Sequence, residues 1–170
     1  YQSEDCPLLS LPDWETLPYD VFSPHQDIIS QRLKTLYQLP RLKRGLVIVP
    51  VSTLLLRICH RDYLEQNSFL IKKGQQVDLA ALKRQLTAVG YRSVDQVMEH
   101  GEFSARGSIL DLYPMGATTP YRIDFFDNDV DGIRTFDPDN QRSLAQVNYI
   151  ELLPAHEFPT DKAAIERFRM

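Results

Sequence analysis

Residues 101–136 read GEFSARGSILDLYPMGATTPYRIDFFDNDVDGIRTF, and they decide how the rest of the chain is understood. The segment predicts three consecutive antiparallel strands separated by Gly, Asp, Asn and Pro turns. Strand alternation puts Tyr121, Ile123 and Phe125 on one side and Arg122, Asp124 and Phe126 on the other. The side that should be merely polar thus displays a guanidinium and a phenyl ring. Arginine offers a rigid fork of donors and Phe offers apolar area, and truncating such anchors in protein interfaces costs about 2 kcal/mol or more. For Arg106, Arg122 and Phe126 two readings stand side by side. In one they are contact residues; in the other the arginines pair with carboxylates such as Asp124 and Phe126 tucks under the turn.

Working outward, the predicted strands are 97–103, 106–113, 121–126, 132–136 and 147–153, preceded by a helix that Asp78 caps. Leu79, Leu82, Leu86 and Val89 form its apolar stripe and Gly90 its left-handed stop. One helix on one face of an antiparallel sheet leaves the other face open to a partner. Further upstream, Ser23 and Pro24 read as cap and first residue of a helix carrying Ile29, Leu33, Leu36 and Tyr37, ended at Pro40. Leu46–Val47–Ile48–Val49 predicts a short buried strand leading through Ser52 into a helical Leu54, Leu55, Leu56 and Ile58. Helix, strand and helix make part of an α/β layer. A lone buried strand needs neighbours, so the chain is expected to be a piece of a longer protein that lacks the start of its first domain. The polar stretch Gln66–Ser68 marks a boundary, and after Pro154 the sequence AHEFPTDKAAIERFRM offers Thr160 as a cap with Ile165 and Phe168 on one helical side. The fold class is therefore α+β: a partial α/β layer, then a domain with an antiparallel sheet covered on one face by a helix.

Composition narrows the function classes. A formal charge of -4 over 170 residues argues against general affinity for a phosphate backbone. Arg41, Lys43 and Arg44 form the nearest thing to a basic run, read as a solvated loop. No apolar run would span a bilayer and the start lacks the pattern of a signal peptide, so a cytoplasmic, membrane-free protein is expected. Cys6 and Cys59 lack CxxC spacing and read as free thiols, without disulfide or zinc.

Several motifs tempt. Asp127, Asp129, Asp131 and Gly132 match the opening of a calcium loop, but the twelfth position is Pro138 and the flanks are strands, so an acidic hairpin turn is expected. There is no GxxxxGK[ST] or GxGxxG, hence no phosphate cradle and no cofactor. His25, His60, His100 and His156 have no nucleophile partner, and His100 with Glu102 reads as an exposed polar pair on a strand. No catalytic residue is assigned. Trp14, among Asp13, Glu15, Pro18 and Tyr19, reads as an irregular segment pinned by a buried ring.

RGSILDLYP, PYRIDFFDNDVDGIRTFDPDNQRS and LPDWETLPYDVFSPHQDIISQRL together resemble the N-terminal region of bacterial transcription-repair coupling factors, over essentially all 170 residues. The strand block is also similar to domain 2 of the excision-repair protein UvrB. The resemblance implies part of a UvrB-like domain 1a over 1–67, domain 2 over 68–154 and the start of domain 1b over 155–170. It implies a non-catalytic module that binds UvrA, with Arg106, Arg122 and Phe126 at the matching positions. It further implies a parent that translocates on DNA with ATP and Mg bound only in its helicase domains, displaces stalled RNA polymerase, and masks the UvrA surface with its own C-terminal domain. The alternative is a fragment of UvrB itself; a GxxxxGK[ST] upstream of Tyr1 would favour it, whereas DWETLPYD and SPHQDIIS point to the coupling factors.

Overall fold

Leu8–Ser10 (β1) and Leu46–Ile48 (β2) pair in parallel, with Leu9 opposite Val47, and the connection between them contains the helix Gln26–Gln38 (α1). This computed structural model describes residues 6–16, 21–159 and 166. The sequence predicts helix, strand and helix for this α/β layer and offers the strand at Leu46 no neighbour; β1 supplies one. Its details differ from expectation. The cap of α1 is His25, not Ser23: its extended backbone turns the ring back so that Nδ1 accepts the Asp27 N–H at 3.2 Å. A 3-10 turn over Leu39–Arg41 containing Pro40 ends the helix. The run Leu46–Ile48 of β2 is exposed rather than buried: among the described residues its sheet has only two strands, and α1 packs on the other one, where the Thr35 hydroxyl donates to the Ser10 carbonyl at 2.6 Å.

Beyond β2 the predicted helix shrinks to one turn, Val51–Leu54 (α2), leaving Leu55, Leu56 and Ile58 outside it and exposed. A further short helix, Arg61–Gln66 (α3), is capped by His60 in the manner of His25. Then comes Phe69–Lys72 (β3), the turn at Lys73 and Gly74, and the helix Leu79–Ala88 (α4). Asp78 caps α4 by accepting the Ala80 N–H at 2.8 Å, and Gly90 follows with φ +97°, both as the sequence suggests.

The central sheet has six strands: Arg92–Ser93 (β4), Glu102–Arg106 (β5), Ile109–Leu112 (β6), Tyr121–Phe126 (β7), Asp129–Phe136 (β8) and Ser143–Val147 (β9). They lie in sequence order, antiparallel apart from the short β4 to β5 contact. A last strand, Tyr149–Leu152 (β10), leaves this sheet and pairs antiparallel with β3. The predicted strand 97–103 is displaced: Gly101, at φ +79°, turns the chain, so β5 begins only at Glu102. Gly107, at φ +59°, together with Ser108 makes a hairpin turn where continuous strand was expected. The acidic motif is the hairpin turn between β7 and β8, with Asp127 at φ +53° and an irregularity in register beside Asp124 and Phe125.

The inner face of the sheet presents Phe103, Leu110, Leu112, Ile123, Phe125 and Ile133 to Leu82 and Leu86 of α4, forming one continuous core. The core extends to Leu33 and Leu36 of α1 and to Leu152 and Leu153. Helical and strand stripes of complementary apolar character meet here, which is what holds the helix on that face. The predicted cap at Thr160 and its apolar partners Ile165 and Phe168 lie outside the described residues, as do Pro18 and Tyr19.

Candidate protein-binding face

Register places the outward residues of neighbouring strands side by side. Ser104 of β5 stands opposite Asp111 of β6, Asp111 opposite Arg122 of β7, and Arg122 opposite Arg134 of β8. Two arginines directly across a ladder repel, and each pairs with a different carboxylate. Arg122 donates from Nε and Nη2 to the two oxygens of Asp111 at 2.7 and 2.8 Å. Arg134 donates from Nη2 to Asp124 at 2.6 Å.

Asp111 is the centre of the face. Its side chain is 2% exposed, yet it also receives Arg106, whose Nη2 lies 3.5 Å from the same Oδ2 that Arg122 holds. Two guanidinium groups thus converge on one carboxylate oxygen. Their exposures differ sharply: the Arg122 side chain is 18% exposed and that of Arg106 is 62%. Arg122 is fixed on two further sides, with Cζ 4.9 Å from the centre of the buried Phe136 ring and Nη1 donating to the Gln141 carbonyl at 3.3 Å. The bonds it donates to Asp111 raise the pKa of the Arg122 guanidinium further still, so the charge is permanent. Phe126, two positions beyond Asp124 on the same outward side of β7, is 73% exposed. Of the alternatives set out from the sequence, the structure therefore pairs the arginines but leaves Phe126 uncovered, and the carboxylate that Arg122 chooses is Asp111, not Asp124.

Asp111 had no local signal. It sits as the single polar residue of Leu110–Asp111–Leu112, and its partners become neighbours only through the strand register. Likewise, His100 and Glu102 are not an exposed pair. Gly101 separates them; both are buried, and they face different partners. His100 contacts Asp27 of α1 through Nδ1 at 2.8 Å and the Ala117 carbonyl through Nε2 at 3.0 Å. Glu102 accepts the backbone N–H groups of Met98 and Glu99, each at 2.9 Å, and pairs with Arg92.

A second region brings together residues far apart in sequence. Arg32 of α1 and Glu157 form a buried bidentate pair; the guanidinium also donates to the Pro12 carbonyl and lies under the Trp14 ring, with Cζ 5.1 Å from its centre. Trp14 donates its indole N–H to Glu157 at 3.2 Å and meets Phe158 edge-on. The irregular segment is thus pinned, though Trp14 is half-buried rather than wholly enclosed. Beside it lies a cavity of about 600 Å³ walled by Trp14, Phe22, Ile29, Leu56 and Phe158. Cys59, buried nearby, has its thiol pKa pushed up to about 11 by burial and then by the Glu157 charge. Among the described residues no group of three or more His, Cys, Asp or Glu is placed to hold a metal ion.

The sequence matches the family described as the UvrB interaction domain over residues 69–158, the span that runs from β3 through β10 and ends just past Glu157. The chain belongs to this family. It is 60% identical to the transcription-repair-coupling factor of Escherichia coli over 99% of its own length and 15% of that relative's. It is 56% identical to the protein of the same name from Haemophilus influenzae over 93% of the chain and 14% of the relative. The Bacillus subtilis protein of that name is 32% identical over 94% of the chain, again covering 14% of the relative. The chain therefore spans about one seventh of the length of these curated relatives, and the UvrB interaction domain is the part of it that carries the charged face. No helix among the described residues is long and apolar enough to cross a membrane.

Proposed function

We propose that this chain is a protein-binding module that docks UvrA through the outer face of its six-stranded sheet, with Arg106, Arg122 and Phe126 at the contact. One observation carries the reading: on the outward side of β5 and β7, an uncovered phenyl ring accompanies an exposed guanidinium. Burying a Phe side chain is worth about 1.5–3 kcal/mol, and a guanidinium meeting a partner carboxylate adds a charge-assisted bond. The family match and the names of the relatives support UvrA as the partner and repair as the setting.

For the longer proteins we propose that the module brings UvrA to RNA polymerase stalled at a lesion. There, helicase domains using ATP and Mg translocate on DNA and displace the polymerase, and a C-terminal domain covers the module until it is needed. The chain itself is read as non-catalytic, and its compartment as the bacterial cytoplasm. The test is calorimetric titration with UvrA at low and moderate salt, beside Phe126→Ala. The wild type is expected to bind, and the variant to lose at least about 30-fold in affinity with an unchanged unfolding midpoint. No binding by the wild type, or equal binding by the variant, overturns the reading.

A further inference from the structure

We infer that Asp111 is the positioning residue of this face, holding Arg122 as a fixed strut and tethering Arg106 beside it, so that the pair is preformed for one partner carboxylate. The inference rests on the docking function proposed above. Its observation is independent: two guanidinium groups meet at Oδ2 of a carboxylate that is 2% exposed. One anion shared by two cations leaves a net charge of +1 at the surface, so the group attracts a second anion.

The donors divide the labour. Arg122 spends Nε and one N–H of Nη2 on Asp111, directs Nη1 at Gln141, and covers Phe136, so its fork is already engaged inside the domain. Arg106 reaches Asp111 through Nη2 at 3.5 Å, and its side chain is mostly exposed. The partner's carboxylate is therefore taken chiefly by Arg106, while Arg122 supplies field and shape. Without Asp111, Arg106 loses its ion pair and Arg122 keeps only the Phe136 face and the Gln141 carbonyl, so more side-chain freedom is lost when the partner arrives. That added ordering weakens binding by roughly tenfold.

The sign of the effect separates this from the competing view. If Asp111 merely competes with the partner for the arginines, Asp111→Asn should leave UvrA affinity unchanged or tighten it. A positioning role requires weaker binding. The experiment is calorimetric titration of the full chain with UvrA for wild type, Asp111→Asn, Arg106→Ala and the double variant. We expect a loss of about tenfold for Asp111→Asn, and losses that are less than additive in the double variant, because an untethered Arg106 contributes less. Unchanged or tighter binding by Asp111→Asn overturns the inference, as do fully additive losses, which a general structural fault would also give.

A second measurement needs no UvrA and stands if the docking function fails. In the free chain, the Arg122 Nε–H resonance should be slow to exchange with solvent and should become fast in Asp111→Asn, while that of Arg106 is fast in both. A fast-exchanging Arg122 Nε–H in the wild type would sink the strut role regardless of partner.

Discussion

Changing Glu157 to Gln isolates the electrostatic tie that fastens α1 to the segment after β10. The Arg32 side chain is fully buried and Glu157 nearly so, and both carboxylate oxygens are engaged by the guanidinium. An amide of the same shape keeps one acceptor for Arg32 but removes the negative charge and turns a donor toward a donor. Removing one partner of a buried pair costs about 3–5 kcal/mol; with the retained oxygen the lower end, about 3 kcal/mol, is expected. With a urea dependence near 2 kcal/mol per molar for a chain of this size, the unfolding midpoint should fall by roughly 1.5 M. Trp14 is the sole tryptophan and donates to Glu157, so its fluorescence reports on the cluster while far-ultraviolet dichroism reports on the whole chain. The two curves should coincide if unfolding is cooperative. Arg32→Met added to Glu157→Gln removes the stranded cation and keeps an acceptor for Trp14. The double variant should therefore be more stable than the single one, despite the partner lost to the Pro12 carbonyl. A single-variant shift below about 0.3 M at unchanged slope, or a double variant weaker than the single, would refute the reasoning.

Three further outcomes are expected. Gly90→Ala should lose about 1–2 kcal/mol for its left-handed backbone alone, and more because an added Cβ would lie 2.4 Å from Cδ2 of His156; thermal unfolding with His156→Ala in the same chain should recover only the second part. Cys59 should react far more slowly than Cys6 with a thiol reagent at pH 8, since its thiol is raised to about 11, and equal rates would contradict its burial. The same shift has a sign in stability: the folded state keeps the Cys59 proton more tightly, so its contribution is intact below about pH 9 and is lost as pH rises toward 11; Cys59→Ser should flatten that part of a urea midpoint against pH curve.

What was legible in the sequence was whatever repeats locally. The alternation of residues 121–126 sets which side chains face out, and the Asp78 and Gly90 signals bound α4, because each needs only a few neighbouring residues to act. Burial was harder. The run Leu46–Val47–Ile48 has the composition of a covered strand, but composition cannot say whether a second layer lies over it. Histidine caps at His25 and His60 escaped because an imidazole rarely takes that role and Ser23–Pro24 offered a more ordinary start. Contacts of long range gave no trace at all. Asp111 meets Arg122 only after a hairpin and an eight-residue loop set the register, and Arg32 meets Glu157 across the whole sheet domain. His100 was read beside Glu102, whereas the turn at Gly101 sends it toward Asp27.

The pairing of β3 with β10 has a consequence for how such a unit can travel between hosts. Phe69, near the start of the sheet domain, faces Leu152 near its end, so the chain enters and leaves at one place. To a surrounding fold the whole intervening body is topologically no more than a long excursion between two adjacent points, and its ends are closed by the domain's own ladder. A cassette built in this way can be spliced into a host loop without stretching the host's backbone.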